Sequence, residues 1–225
     1  MNTPLLNNLF YKCTHGYHIV HNTPIKESVW EDINTEIFIA AGIHVSSQSN
    51  GSHQSGADIF CDIGSFSNKS TQYDTSSKNS FKISSYRLTS VCSDKNNGDI
   101  SCIIAEIERR KNFQYYSIIV RSETDTEYTY DWYIIPADLP QLCPSSYTWT
   151  PKSGKQTKTR DTVTGWQTNV IDGSSMSISF SMSSQLWIYL TITDDMKKYS
   201  ISSCSVKKGK TLNFIQLFDN HQVAV

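Results

Sequence analysis

Charge is scarce in this chain. Asp, Glu, Lys and Arg make up 18% of the 225 residues, and 20 basic against 21 acidic side chains leave a formal net charge of -1. That balance excludes a generally basic nucleic-acid binder but is compatible with a local basic groove. No apolar run is long enough to span a bilayer, and the segment from Met1 to Asn8 lacks both the basic stretch and the sustained apolar run of a secretory signal. The expectation is a soluble, cytoplasmic protein with no membrane partner. Cys13, Cys61, Cys92, Cys102, Cys143 and Cys204 are scattered without a Cys-x-x-Cys pair, which argues against a zinc site or a small disulfide scaffold and for free thiols. Internal repeats and long disorder-prone tracts are also missing.

What is present fits one domain over residues 1–225, with its chemistry in 24–110 and a β-rich part in 111–225. A helix is predicted from Pro24 to Ala41, with Asn22 or Thr23 as cap, Pro24 in the first turn and Gly42 as the stop. At 100° per residue Ile25, Val29, Ile33, Ile37 and Ala40 share one side, which Trp30 and Phe38 cannot both join. Glu36 falls within that apolar arc and needs a partner for its charge, a metal ion, a cation or solvent, whereas Glu27 and Glu31 project toward the polar side.

A polar loop from Ser46 to Gln54, containing His53, leads into two short strands, Asp58 to Ile63 and Ser65 to Ser70, about Gly64. Side chains alternate along a strand, so Ser67 and Lys69 point one way and meet Asp58 from its neighbour. Further on, the run from Phe81 to Leu88 is expected to open a helix at Ser84 or Ser85, with Lys82 and Arg87 near its start. Strands are predicted over Ile100 to Glu108, Tyr115 to Arg121, Tyr128 to Ile135, Met176 to Ser181 and Leu186 to Thr193. Glu106 and Glu108 then read as the exposed face of an alternating strand. The basic stretch from Ser153 to Arg160 reads as an exposed loop.

An acid beside a lysine suits phosphodiester hydrolysis. Carboxylate-bound Mg²⁺ generates the nucleophile and neutralises charge on the phosphate, and a lysine orients the attacking water or stabilises the transition state. Asp58, Lys69 and Glu36 supply those parts, with Asp62 as a further candidate carboxylate and His53 as a base or phosphate contact. Lys82, Arg87, Lys152, Lys155, Lys158 and Arg160 are candidate DNA contacts.

A helix glutamate, an acid entering a strand, then a turn and a strand ending in lysine resembles the PD-(D/E)xK nuclease superfamily, and especially type II restriction endonucleases. The resemblance covers roughly Pro24 to Leu88. It implies an α/β (α+β) fold with a mixed central β-sheet flanked by helices and a β-rich C-terminal half. It also implies Mg²⁺ as cofactor, double-stranded DNA as substrate, a homodimer on a short palindrome, and a cognate DNA methyltransferase. On this reading Asp58 and Glu36 bind metal and Lys69 is the catalytic lysine. Ala57 stands where the motif has proline, and Ser67 where it has a second acid, so Glu36 or Asp62 must complete the site. The competing expectations are a non-catalytic β-rich binding module and a repair or junction-resolving nuclease with the same metal chemistry.

Overall fold

The computed structural model describes residues 3–48, 56–89, 91–92, 99–157, 160–180 and 184–223. His53 and Lys158 lie outside them. The fold is mixed α/β, with a large mixed sheet flanked by helices and a strand-rich C-terminal half. Helices α1 (Thr3–Val20) and α2 (Glu27–Ala40) come first, followed by the short strands β1 (Val45–Gln48) and β2 (Ile59–Cys61) and the long hairpin β3 (Gly64–Asp74) and β4 (Ser77–Arg87). Helix α3 (Ile100–Arg110) leads into β5 (Tyr115–Glu123) and β6 (Glu127–Pro136). Strands β7 (Trp149–Thr157), β8 (Arg160–Thr168), β9 (Ser175–Ser179), β10 (Gln185–Thr191) and β11 (Ser200–Lys207) follow, and α4 (Phe214–Val223) is the last element.

The strands run in the order β11-β6-β5-β3-β4-β10-β9-β8-β7, with β1 and β2 attached beside β3. Strands β3 and β5 are parallel, joined through β4 and α3, and the other pairings are antiparallel. Strand β5 is central and buried on both faces, as its run of Ile118, Ile119 and Val120 demands. On one face Ile119, Trp132, Ile134 and Phe66 pack with Phe10, Trp30, Ile37 and Phe38 of α1 and α2. On the other, Ile118, Val120 and Ile135 pack with Ile103 and Ile107 of α3 and with Phe81, Ile83, Ile178 and Ile188 of the second half of the sheet.

Several elements differ from the sequence expectation. Helix α1 buries Leu6, Phe10, Thr14 and His18, one residue per turn, but two of these four are polar, so the apolar period is diluted. The segment from Ile100 is a helix. Its β-branched isoleucines suggest a strand, yet Ile103 and Ile107 are spaced i, i+4 and Asp99 caps the end by accepting from the Ser101 N–H at 2.9 Å. Glu106 there pairs with Arg109 and Arg110. No helix opens at Ser84: β4 continues as a strand to Arg87, because Ile83 and Phe81 alternate inward against Ile188 and Leu190 of β10. Of the basic stretch expected as a loop, Ser153 to Thr157 belong to β7 and Arg160 to β8, two antiparallel strands whose backbone ladder needs no apolar anchor.

Within α2, Trp30 and Phe38 are both fully buried, contrary to the helical-wheel expectation, because α1 and the sheet close over a broader arc of the helix. Ala40, placed on that buried side, is exposed. All six cysteines are free, and among the described residues no helix is long and apolar enough to cross a membrane.

Candidate functional site

The site is built on an interruption in the sheet. Strand β2 is only three residues long and pairs Ile59 with Phe66 and Cys61 with Gly64 across a two-residue turn at Asp62 and Ile63. Gly64 sits at φ 132°, and a Cβ there would stand 2.5 Å from Gln114 Oε1, so glycine is required. One further bond, Asp58 N–H to the Phe66 carbonyl at 2.8 Å, ends the ladder. The same edge of β3 is next paired at Tyr73, opposite Phe81 of β4. Between these points the N–H and C=O of Asn68 face a notch, since residues 66 and 68 present their main-chain groups to the same edge.

Side chains occupy that notch. Asp58 Oδ2 accepts the Asn68 N–H at 2.5 Å, and the Ser67 hydroxyl adds a second hydrogen bond to the same carboxylate. Lys69 Nζ donates to the Asn68 carbonyl at 2.7 Å and to Glu27 Oε1 at 2.8 Å. The Lys69 side chain is only 11% exposed and Glu27 41%, so the ammonium is enclosed while its partner reaches solvent. An ammonium has three donors. Among the described residues two are used, which leaves the third for a phosphate oxygen or a water.

Helix α2 brings the remaining acids. Glu27 and Glu31 are one turn apart on the same face, and Glu27 lies in the first turn, where the helix dipole favours an anion. Burial, then the charges of Asp58 and Glu27, push the Glu31 carboxyl up to about 7, with Lys69 pulling the other way. Burial also raises the Asp58 carboxyl, against Lys69 and the hydrogen bonds from Asn68 and Ser67. The notch thus holds more negative charge than Lys69 neutralises.

Among the described residues no three His, Cys, Asp or Glu side chains stand together as a metal-binding group. Asp58, with Glu31 near enough for the Asp58 charge to raise its carboxyl, still offers the one or two protein carboxylates that Mg²⁺ takes, the ion keeping several waters and adding substrate phosphate oxygens. Burial first, and then neighbouring carboxylates, raise both groups: Asp58 and Glu27 act on Glu31, and Glu27 acts on Asp58, a crowding of negative charge that a cation would relieve.

Asp58, Ser67 and Lys69 therefore come together as the strand alternation predicts. Glu36 does not join them. It is exposed, and its charge acts on Cys13 of α1, whose thiol is pushed up first by burial and then by Glu36. Asp62 is exposed in the β2–β3 turn and has left the strand face on which it was expected. Glu27 and Glu31, assigned from sequence to the solvent side, are the helix carboxylates of the notch. The apolar stripe carried no signal for them, because at 100° per residue Glu31 lies opposite the arc of Ile25, Val29, Ile33, Ile37 and Ala40; the burial of Trp30, Asn34 and Phe38 is what turns their side toward the sheet.

Of the candidate DNA contacts, Lys82 places its ammonium 3.8 Å from the Trp187 ring centroid, on the face of β4 and β10 away from the core. Arg87 is exposed at the end of β4, where its carbonyl accepts from Arg110. Lys152 and Lys155 lie on β7, and Arg160 begins β8. Compared with known proteins, the chain matches no family model, no curated protein and no solved structure.

Proposed function

We propose that this protein is a Mg²⁺-dependent, sequence-specific endodeoxyribonuclease that hydrolyses phosphodiester bonds in double-stranded DNA, resembling the type II restriction endonucleases of the PD-(D/E)xK superfamily and acting as a homodimer. The observation that carries this reading is the gathering of Asp58, Lys69 and the α2 carboxylates at one notch in the edge of β3. Glu31 replaces Glu36 as the acid that compensates for Ser67. Ser67, unable to serve as the second carboxylate, orients Asp58 by hydrogen bonding instead.

In this scheme Asp58 and Glu31 would hold Mg²⁺. When bound, Mg²⁺ supplies a more acidic water and neutralises charge on the phosphate. Glu27 fixes the Lys69 ammonium, and the remaining Lys69 donor binds a non-bridging phosphate oxygen, where it stabilises the charge of the transition state. The low exposure of Lys69 strengthens that interaction by keeping water from screening it. A homodimer matches a two-fold DNA site with a two-fold protein. The basic residues of β4, β7 and β8 are the candidate phosphate contacts, and a DNA methyltransferase of the same specificity is the expected companion.

Plasmid and phage DNA incubated with the protein in Mg²⁺ and in EDTA give the test. Discrete fragments only in Mg²⁺, lost in Asp58→Ala, Glu31→Ala and Lys69→Ala but retained in Glu36→Ala, are expected. Absence of cleavage across varied DNAs and divalent metals would refute the nuclease reading and favour a β-rich binding module. Cleavage only of branched DNA would favour a junction nuclease.

A further inference from the structure

The peptide unit of Asn68 is the hub of the notch: its N–H holds Asp58 and its carbonyl holds Lys69. Both contacts are main-chain, so the Asn68 side chain is free of them and points to the opposite face of β3, toward α2. There it is fully buried, and its Oδ1 accepts from Asn34 Nδ2 at 2.6 Å. The same Asn34 amide donates to Ser117 Oγ of β5 at 3.0 Å, and Ser117 Oγ also accepts from Trp132 Nε1 at 3.0 Å. Trp30, one turn before Asn34 on α2, donates to the Ser117 carbonyl at 3.1 Å.

This chain of bonds ties the helix that carries Glu27 and Glu31 to the strand residue whose backbone holds Asp58 and Lys69. Stability alone does not account for it. Asn34 Oδ1 and Asn68 Nδ2 are buried without a protein partner among the described residues, and an apolar pair of similar size would avoid that cost.

We propose that Asn34 and Asn68 form a positioning pair that sets the register of α2 against β3 and the orientation of the 68 peptide, and thereby the relative placement of the helix carboxylates, Asp58 and Lys69. A strand edge lacking a neighbour is otherwise free to twist at that residue. The inference rests on the nuclease reading for its kinetic consequence, while the geometric claim stands by itself.

The double variant Asn34→Leu, Asn68→Val tests it. Both polar groups go together, so neither remains as a buried orphan, and residue 68 keeps its N–H and C=O. Two quantities are measured: hydrogen exchange of the residue 68 amide relative to the amides of Ile118 and Ile119, and kcat and KM for cleavage of plasmid DNA in Mg²⁺. The expected result is a folded protein in which the residue 68 amide exchanges about tenfold faster, while the β5 amides keep their protection. With it, kcat falls about tenfold or more and KM stays within about twofold.

Unchanged exchange at residue 68, or a loss of protection spread equally over β5, would overturn the proposal. Unchanged kcat alongside faster exchange would overturn its kinetic part. Wild-type protein that cleaves no DNA would sink the nuclease reading, and the exchange measurement would then decide the positioning claim alone. Should the double variant fail to fold, Asn34→Ser, a smaller lesion that withdraws the amide donor, is read by the same two measurements.

Discussion

Replacing Glu31 by glutamine should make the metal-free protein more stable at alkaline pH. Below pH 4.5 the carboxyl is protonated in folded and unfolded chains alike, and its charge costs nothing. As pH rises the unfolded chain loses its proton first, near 4.5, while the folded protein retains its own until about 7. Folding stability therefore falls across that window and the full penalty applies above it. A change from 4.5 to about 7, at about 1.4 kcal/mol for each tenfold in proton affinity, sets a ceiling of about 3.5 kcal/mol. Glu31 is half-buried, so solvent screening reduces this to about 1 kcal/mol.

Glutamine keeps the shape and cannot ionise. Urea denaturation in EDTA between pH 4 and pH 8.5 should show equal midpoints at the acid end and a glutamine variant about 1 kcal/mol more stable at the alkaline end. Adding Mg²⁺ at pH 8 should stabilise the wild type and not the variant, reversing the order. A difference independent of pH, or a variant less stable at pH 8 in EDTA, would refute the claim that burial, with the charges of Asp58 and Glu27, disfavours the ionised Glu31.

Lys69→Met removes the cation between those carboxylates, and should cost about 1–2 kcal/mol at pH 8, an amount limited by the exposure of Glu27, measured by chemical denaturation; an unchanged midpoint would count against the notch geometry. His18, whose imidazole is held below its usual range chiefly by burial, accepts or donates to Tyr130 Oη at 3.0 Å. Because the folded state resists its protonation, wild-type stability is complete above about pH 6.5 and declines as pH falls. The difference from His18→Gln should shrink between pH 7 and pH 5, and a constant difference would contradict the assignment. Gly165 has φ 157°, and a Cβ there would stand 2.1 Å from the Ile178 carbonyl oxygen, so Gly165→Ala should lower stability by roughly 2–4 kcal/mol in thermal unfolding. Gly16, inside α1 with nothing within 4 Å of the added methyl, should instead gain about 0.5–1 kcal/mol as alanine.

How far the sequence can be read depends on whether a signal is local. The β2–β3 hairpin follows from Gly64 and the alternation around it, and with it the meeting of Asp58, Ser67 and Lys69, because period-two geometry fixes which side chains share a face. Strands β5, β6, β9 and β10 likewise announce themselves through dense β-branched and aromatic residues. Helix α3 was hidden because isoleucine suits a strand, while its Asp99 cap and the i, i+4 pair Ile103 and Ile107 pointed the other way. Helix α1 was hidden because Thr14 and His18 sit at buried positions that a hydrophobicity pattern assigns to apolar residues.

The choice among the α2 acids was not a local matter. A helical wheel shows that Glu27 and Glu31 lie apart from Glu36, but which arc meets the sheet depends on α1 lying beside α2 and on Trp30 and Phe38 both packing against Trp132. That packing turns Glu36 outward and Glu31 toward Asp58. Nor does spacing reveal that β2 begins only at Ile59, leaving the main chain of Asn68 to be held by side chains. Sequence by itself determined an acid and a lysine on one strand face beside a turn, since backbone geometry enforces that within a dozen residues. Tertiary structure alone decided which carboxylates join them, because the rotation of a helix about its axis is set by everything that packs against it.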